Sequence, residues 1–458
     1  MPIPSRPPNV ILINCDDLGY GDLGCYRSDR NLTPHVDRLA AEGRRFTDFY
    51  MASPVCSPSR GAMLTGCYPP RIGFGSFDGR WVLFPGQAIG LNPAEVTIAR
   101  VLQGTGYATA LFGKWHCGDQ APFLPTCHGF DEYFGLPYSN DMGRQQGADP
   151  SYPPLPLLCG DEVVEEQPDQ TSLTERYVER AVQFMRRNRD RPFFLYFAHL
   201  HVHLPHYVPE RFLRESGNGR YGAAVACIDW ATGVLMSELR RMALEENTLV
   251  LFTSDNGSRA GEGGGSNGPL RGTKGTTWEG GQRVPCIARW PARIPAGTVC
   301  RELTTAMDFL PTLAGLAGAT LPGDRIIDGR DVRDLWLGIP GATSPHQAFY
   351  YYLKDDLEAV RSGPWKLHLR RDGQELAELY ELTEDPGERH NRFRDHPEVV
   401  ARLRSLAEGA RAELGDAATA VRGRHVRPAG RVDRAAPLTQ YDPNHPYLVA
   451  MYDLEERG

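Results

Sequence analysis

Asp16, Asp17, Asp255 and Asn256 stand directly behind two short apolar runs, and together they offer the oxygen donors a hard divalent cation requires. Lys114 and His116 follow a further run in Gly113-Lys114-Trp115-His116, and His199, His201 and His203 follow another. An all-oxygen donor set suits Ca²⁺ or Mg²⁺ better than zinc. Lysines and histidines beside it would hold an anion and move protons. Each piece also has a plain structural reading. Asp16-Asp17 could cap a turn. Asp255-Asn256-Gly257 is a hairpin-turn signal, although the glycine-rich stretch Gly261 to Gly268 and the basic segment Leu270 to Gly275 follow it in place of a second alternating strand. A lone histidine is more often a satisfied structural residue, and His201 and His203, two apart, share a face if extended.

Two further patterns carry chemistry. Gly19-Tyr20-Gly21-Asp22-Leu23-Gly24 fits G-x-G-x-x-G behind a strand, as a dinucleotide fingerprint would. Asp16, Asp17 and Asp22 would place negative charge against a pyrophosphate, and the next helix starts ten residues on, so a nucleotide site is disfavoured. Val55-Cys56-Ser57-Pro58-Ser59-Arg60-Gly61, followed by Leu64-Thr65-Gly66, puts a cysteine at the mouth of a predicted helix. There the helix dipole and Arg60 favour a thiolate; the alternative is a buried structural cysteine.

The elements that must position these residues form a regular series. Asn9 to Asn14, Tyr107 to Phe112, Pro192 to Leu200 and Asn247 to Thr253 read as strands buried on both faces. Predicted helices separate them at Pro34 to Ala41, capped by Thr33 with proline at the first helical position, and at Ala94 to Gln103, Ser172 to Asn188 and Tyr221 to Met242. Strands alternating with helices predict an α/β fold with a large, mainly parallel sheet between helices, and ligands bind beyond the carboxyl ends of such strands. From about Gln347 the texture shifts to short alternating segments and one helix near Glu398 to Leu414. The expected division is a catalytic domain over residues 1–345 and a C-terminal subdomain over 346–458, built from a small antiparallel sheet, a helix and a tail. The tail's Tyr441, Tyr447 and Tyr452 suggest docking, on this chain or on a second copy in a homo-oligomer.

Fifty basic against 57 acidic residues give a net charge of −7, with no basic stripe to follow a phosphate backbone, so nucleic acid is not an expected partner. No continuous apolar run long enough to span a bilayer occurs, nor a signal-peptide stretch near Met1, so the expectation is a cytoplasmic protein with no membrane partner, or a periplasmic or secreted one if a leader has been removed. The ten cysteines include no C-x-x-C pair.

Cys56 to Gly66 resembles the C-x-P-x-R…L-T-G motif by which type I sulfatases have a cysteine oxidised to formylglycine. Asn9 to Asp22 (NVILINCDDLGYGD), Gly113 to His116, Ser254 to Gly257 and Leu270 to Pro285 are similar to further blocks of that family, in the same order. Gly135 to Asp141 (GLPYSND) resembles the arylsulfatase A and N-acetylgalactosamine-6-sulfatase branch, and Ala359 to His368 and Leu379 to Asn391 resemble the family's carboxyl-terminal segments. The resemblance runs from about residue 9 to residue 391. Cys67 departs from it, standing where an arginine usually follows L-T-G.

The resemblance implies an alkaline-phosphatase-like fold and a sulfuric ester hydrolase acting on an aryl sulfate or a sulfated carbohydrate, matured by a formylglycine-generating enzyme. It implies that Asp16, Asp17, Asp255, Asn256 and modified Cys56 bind one divalent cation, Ca²⁺ or alternatively Mg²⁺. Arg60 would hold the formylglycine, and Lys114, Lys274, Ser139 and His203 would contact the substrate's sulfate. One hydroxyl of the hydrated aldehyde, deprotonated with help from Asp255, would attack sulfur while His203 or Lys274 protonates the leaving oxygen. His116 would then deprotonate the second hydroxyl, expelling sulfate. The competing reading is a phosphate or phosphonate ester hydrolase on the same scaffold. Gly75 to Gly90, with Phe77, Trp81 and Phe84, and Asp141 to Cys159 are the expected pocket walls.

Overall fold

The computed structural model describes residues 6–146, 151–261, 264–447 and 451–458. Its centre is the strand Asn9–Cys15, whose seven residues are all buried. Side chains alternate across a strand, so Ile11 and Ile13 face one hydrophobic layer while Val10 and Leu12 face the other. That two-sided burial is why the run is continuously apolar. On the first face lie the helices Pro34–Ala41, Leu173–Arg187 and Gly219–Arg241. On the second lie Cys56–Thr65, Ile98–Gln103 and Phe309–Ala317. Gly219–Arg241 is long and apolar enough by composition to cross a membrane, but here it is a core helix, mostly buried within the protein.

Asn9–Cys15 pairs in parallel with Thr248–Ser254 on one side and Phe193–Ala198 on the other. Ala108–Gly113 and then Glu132–Gly135 extend the parallel set. Antiparallel strands Pro156–Cys159 and Glu162–Glu166 finish one flank; on the other, Cys286–Arg289 runs antiparallel beside Thr248–Ser254, followed by Arg44–Phe46, antiparallel to it, and the edge strand Thr298–Cys300, parallel to Arg44–Phe46, giving a ten-stranded mixed sheet. Five neighbouring parallel strands therefore end at the same edge, and the residues following them are brought together.

The second sheet has four antiparallel strands, Phe349–Leu353, Asp356–Ser362, Trp365–Arg371 and Gln374–Glu381. The last two are joined by Asp372-Gly373, both at positive φ, the backbone that a tight two-residue hairpin with right-handed strand twist demands. Helix Pro397–Leu414 packs on it through Val400, Leu403 and Ala407. The sheet shares its core with Tyr50, Ala52, Ala62 and Tyr68, so it rests directly on the helix that begins at Cys56.

Two expectations shift. The helix predicted from Ala94 begins at Ile98, because the Thr97 hydroxyl accepts the N–H of Arg100 at 3.1 Å and caps it there, while Asn92 to Glu95 form a turn. Thr33 does not cap Pro34–Ala41 in that way; its hydroxyl donates to Asp37 Oδ1 at 3.0 Å and accepts from the N–H of Gly24.

Candidate active site

Cys56 is the first residue of its helix, and Pro58 falls in the first turn, where an absent N–H costs no intrahelical bond. Arg60 lies one turn beyond Cys56 on the same face and is completely buried. Its Nε donates to Asp255 Oδ2 at 2.8 Å, its Nη2 lies 2.8 Å from the same oxygen as an ion pair, and its Nη1 donates to the carbonyl of Lys114 at 3.0 Å. The guanidinium thus locks the nucleophile helix to the ends of two strands.

The segments behind the parallel strands converge on Cys56. Its Sγ is 3.5 Å from Asp16 Oδ1. Lys114 Nζ donates to Asp16 Oδ2 at 2.6 Å and to Ser139 Oγ at 3.0 Å, and Lys274 Nζ donates to Asp17 Oδ2 at 2.9 Å. Asn256 Nδ2 donates to Asp17 Oδ1 at 2.7 Å. Asp17 and His116 both sit at positive φ, 64° and 59°, aiming their side chains into the site from sharp turns. Gly113, at φ 118°, lets the chain turn towards Lys114; a Cβ there would lie 1.7 Å from the carbonyl oxygen of Ala198.

A divalent cation fits this set. One ligand atom each from Asp16, Asp17, Cys56 and Asp255 lie within 4.8 Å of one another, all buried. Asn256 Oδ1 is buried with no hydrogen-bond partner among the described residues, an orphaned acceptor that normally demands a partner. Burial and the adjacent Asp16 push the Asp255 carboxyl up to about 7. Burial would also raise Asp16, but Lys114, His203 and Arg60 hold it well below the usual carboxylate range. Three carboxylates crowded in this way require cations, and the lysines and Arg60 supply part of the need.

Cys56 differs from the sequence expectation. Burial pushes its thiol well above the ordinary value, and Lys114 and Lys274 only partly offset this against Asp16 and Asp255. The helix mouth and Arg60 do not make a thiolate, since Arg60 is committed to Asp255. The residue is placed as a ligand and reacting centre, not as a free thiol nucleophile.

The histidines separate by geometry. His203 Nδ1 donates to the carbonyl of Leu204 at 2.6 Å and to Asn140 Oδ1 at 3.1 Å, which leaves Nε2 facing Ser139 Oγ at 3.3 Å and Asp17 Oδ2 at 3.9 Å. His116 Nε2 donates to the carbonyl of Leu83 at 3.0 Å, so its partnerless buried Nδ1 keeps a lone pair. Burial, reinforced by nearby lysines, holds both imidazoles well below the ordinary histidine range. His201 is buried away from the cavity; its backbone carbonyl accepts from the N–H of Asp16 at 2.9 Å. His199 is buried against Phe197. Asp255-Asn256-Gly257 makes no hairpin, and Gly19 to Gly24 packs under the site, with the carbonyl of Ser266 accepting from the N–H of Gly21 at 2.9 Å.

A cavity of about 690 Å³ opens onto Cys56, His116, Ser139, His203 and Lys274. Trp81, Phe84 and Tyr152 form its apolar wall, and Arg80, Arg259 and Arg457 its charged rim, with Asp141 the one acidic side chain among the lining residues. Of the predicted walls, Phe77 is instead fully buried against Phe74. Residues 147–150 of the second wall and 262–263 of the glycine-rich loop lie outside the described residues. Sequence reasoning missed Asn140 and Leu83, which fix the two imidazoles, and the tail residue Arg457. Asn140, between the singled-out Ser139 and Asp141, carried some signal; a backbone carbonyl carries none.

Comparison with known proteins agrees with this geometry. Residues 8–319 match the family described as Sulfatase, and residues 273–412 match that described as N-sulphoglucosamine sulphohydrolase, C-terminal. Arylsulfatase A of Homo sapiens is 40% identical, over 88% of this chain and 87% of that protein. N-acetylgalactosamine-6-sulfatase of Canis lupus familiaris is 42% identical, over 79% of this chain and 72% of that protein. The solved structure of Ps i-CgsB in complex with k-i-k-neocarrahexaose superposes with a TM-score of 0.79 at 31% identity, over 88% and 93% of the two chains.

Proposed function

Because the chain belongs to the type I, formylglycine-dependent sulfatases, related to arylsulfatase A and N-acetylgalactosamine-6-sulfatase, it is a sulfate-ester hydrolase with a divalent-cation site, and we propose that its substrate is a sulfated carbohydrate. The observation that carries this reading is the cavity wall. Trp81, 46% exposed, stands with Phe84 and Tyr152 opposite the reacting residues, and flat aromatic faces of this kind take the C–H face of a sugar ring. A rim of arginines suits hydroxyl and anionic groups better than a purely apolar leaving group. The carbohydrate-directed names of two of the compared proteins support the same reading.

The roles follow from placement. Matured by a formylglycine-generating enzyme, the hydrated aldehyde at position 56 supplies the nucleophilic hydroxyl, which gives its proton to Asp255 and forms a bond to sulfur as the bond from sulfur to the leaving oxygen breaks; a bound cation, Ca²⁺ by its oxygen-rich donors, would neutralise charge beside it. Asp16, Asp17, Asp255 and Asn256 hold the cation. Lys114 and Lys274 reach the same space and grip the ester's anionic oxygens, opposing the charge that repels an incoming nucleophile. Asp17 holds Lys274 above the ordinary lysine range despite its burial, so that it keeps its proton for the leaving oxygen. His203 Nε2 faces the same side, steered by Ser139 and Asn140; because Nδ1 carries the single proton of the neutral ring, it donates to that oxygen only in its doubly protonated form, which burial disfavours. His116 Nδ1, with its free lone pair, accepts the proton of the remaining hydroxyl and so releases sulfate. All ten cysteines are unpaired, which supports a reducing compartment.

Paired kinetics on 4-nitrophenyl sulfate and on 6-O-sulfo-N-acetylgalactosamine test the substrate class. Trp81→Ala should raise KM for the sugar about tenfold, in keeping with the roughly 1–3 kcal/mol that one pocket contact is worth, and leave KM for the aryl ester nearly unchanged. Equal effects on both would reject the sugar platform.

A further inference from the structure

The chain returns to the catalytic body at its end. Tyr452 is 1% exposed, its hydroxyl donates to the carbonyl of Pro168 at 2.7 Å, and its ring lies 5.6 Å from that of Tyr207. The following residues are strapped down from several sides. The N–H of Leu454 donates to the Tyr207 hydroxyl at 3.1 Å, and Gln145 Nε2 donates to the carbonyl of Leu454 at 2.6 Å. Arg457 Nη2 donates to the carbonyl of Gln146 at 2.8 Å, and its own carbonyl accepts from Arg259 at 2.5 Å. The N–H of Gly458 donates to Asp141 Oδ2 at 3.1 Å. These partners all belong to the catalytic body.

The strap has a cavity on each side. Arg457 and Gly458 line the catalytic cavity with Cys56, His203 and Lys274. Glu456 and Arg457 also line a second cavity of about 680 Å³, completed by Leu204, His206 and Gly217 to Tyr221. Gly458 lies so close to the His203 imidazole that a Cβ on it would fall 1.9 Å from Nε2. The strap is therefore a partition between two cavities, placed beside the group that faces the leaving oxygen.

We propose that residues 454–458 are a specificity-determining wall: the strap closes the leaving-group side of the catalytic cavity and excludes extended sulfated chains, which would otherwise continue into the second cavity. This rests on the sulfatase reading of the site. With Gln145 Nε2 also donating to the carbonyl of Glu456 at 3.3 Å, the strap is held by six hydrogen bonds to the body and is not displaced at no cost by an incoming chain, so substrates whose leaving group ends within the first cavity are favoured.

The test compares affinities, so that it does not depend on turnover. In a Cys56→Ala background, calorimetry would measure binding of a 6-O-sulfated monosaccharide and of a sulfated tetrasaccharide, with the full chain and with a chain stopped after Tyr452, which keeps the buried anchor. Truncation should raise tetrasaccharide affinity relative to the monosaccharide about tenfold, the size of effect a removed steric barrier gives in a pocket. An unchanged ratio in a chain that still melts cooperatively would overturn the wall. Should the shortened chain fail to fold, full-length Gln145→Ala takes its place. There, faster hydrogen exchange at 454–457 with a shifted ratio supports the wall, and faster exchange with an unmoved ratio overturns it. Wild-type enzyme inactive on every sulfate ester would reject the sulfatase reading instead, a result separate from the affinity ratio.

Discussion

Arg60 and Lys114 carry their charges into a site where their side chains are 0% and 1% exposed, and both do so against carboxylates. Charge buried in this way is costly unless it is met at close range, so these residue types at these positions already imply the acids that face them. Asp16, Asp17, Asp255, Lys114 and Cys56 were legible because each follows a strand or opens a helix. The tautomers were not, since Leu83 and Leu204 set them through backbone carbonyls that look alike in any sequence. His203 has a discriminating test. As a donor to the leaving oxygen it matters most when that oxygen is a poor leaving group, so His203→Ala should cut kcat on a sugar sulfate by about 10²–10⁴ but kcat on 4-nitrophenyl sulfate far less. Equal losses on both esters would move the proton donor to Lys274. The state of residue 56 has its own measurement: the tryptic peptide Phe46 to Arg60 should weigh less than its thiol form by the difference between cysteine and formylglycine. A thiol there in active enzyme would reject the nucleophile.

Strands buried on both faces announce themselves as continuous apolar runs, which is why the four central ones were read nearly to their ends. The flanking strands were missed for the opposite reason. Glu162–Glu166 is a largely exposed edge with three glutamates, and its sequence resembles a loop. The small sheet was legible as a sheet, but its link to the site was not. Lys366 Nζ, fully buried, donates to Glu279 Oε1 and to the carbonyl of Thr277, at 3.0 and 2.8 Å, and lies 3.0 Å from Glu388 Oε1. Glu388 in turn accepts the N–H of Glu279 at 2.8 Å and holds His368 at 2.7 Å. These bonds tie the second sheet to Thr277–Glu279, three to five residues beyond Lys274. Lys366→Met takes the buried ammonium from Glu388 and leaves Glu279 with Arg283 as its ion-pair partner, and removing one partner of a buried pair typically costs about 3–5 kcal/mol. Denaturant unfolding should show that loss, and KM for the sulfate ester should rise because Lys274 is no longer held in place. A variant with lost stability and unchanged KM would show that the sheet supports the fold alone.

At the scale of the whole molecule, ligands for one cation come from chain segments more than two hundred residues apart. Asp16 and Asp17 follow the central strand, Asp255 and Asn256 follow its neighbour, and Cys56 opens a helix on one face of the sheet. Among the described residues, direct contacts between these segments at the site include Arg60 on Asp255 and Asn256 on Asp17, and the crowded carboxylates otherwise repel one another. An ion bound there holds together elements that the unfolded chain would release, so its binding free energy adds to folding stability, about 2.7 kcal/mol at a hundredfold excess over Kd. Dialysis against a chelator should therefore lower Tm by several degrees, since each kcal/mol shifts a chain of 150–250 residues by roughly 2–4 °C and a longer one by less. Ca²⁺ should restore it, and Mg²⁺ should restore less if the larger ion is the native one. Asn256→Ala removes a neutral donor without removing charge, so its Tm should fall less than that of wild type on chelation, and its metal content should drop in elemental analysis. A chelated wild-type protein that melts unchanged, or an Asn256→Ala variant that keeps a full metal complement, would show that these oxygens do not hold the ion.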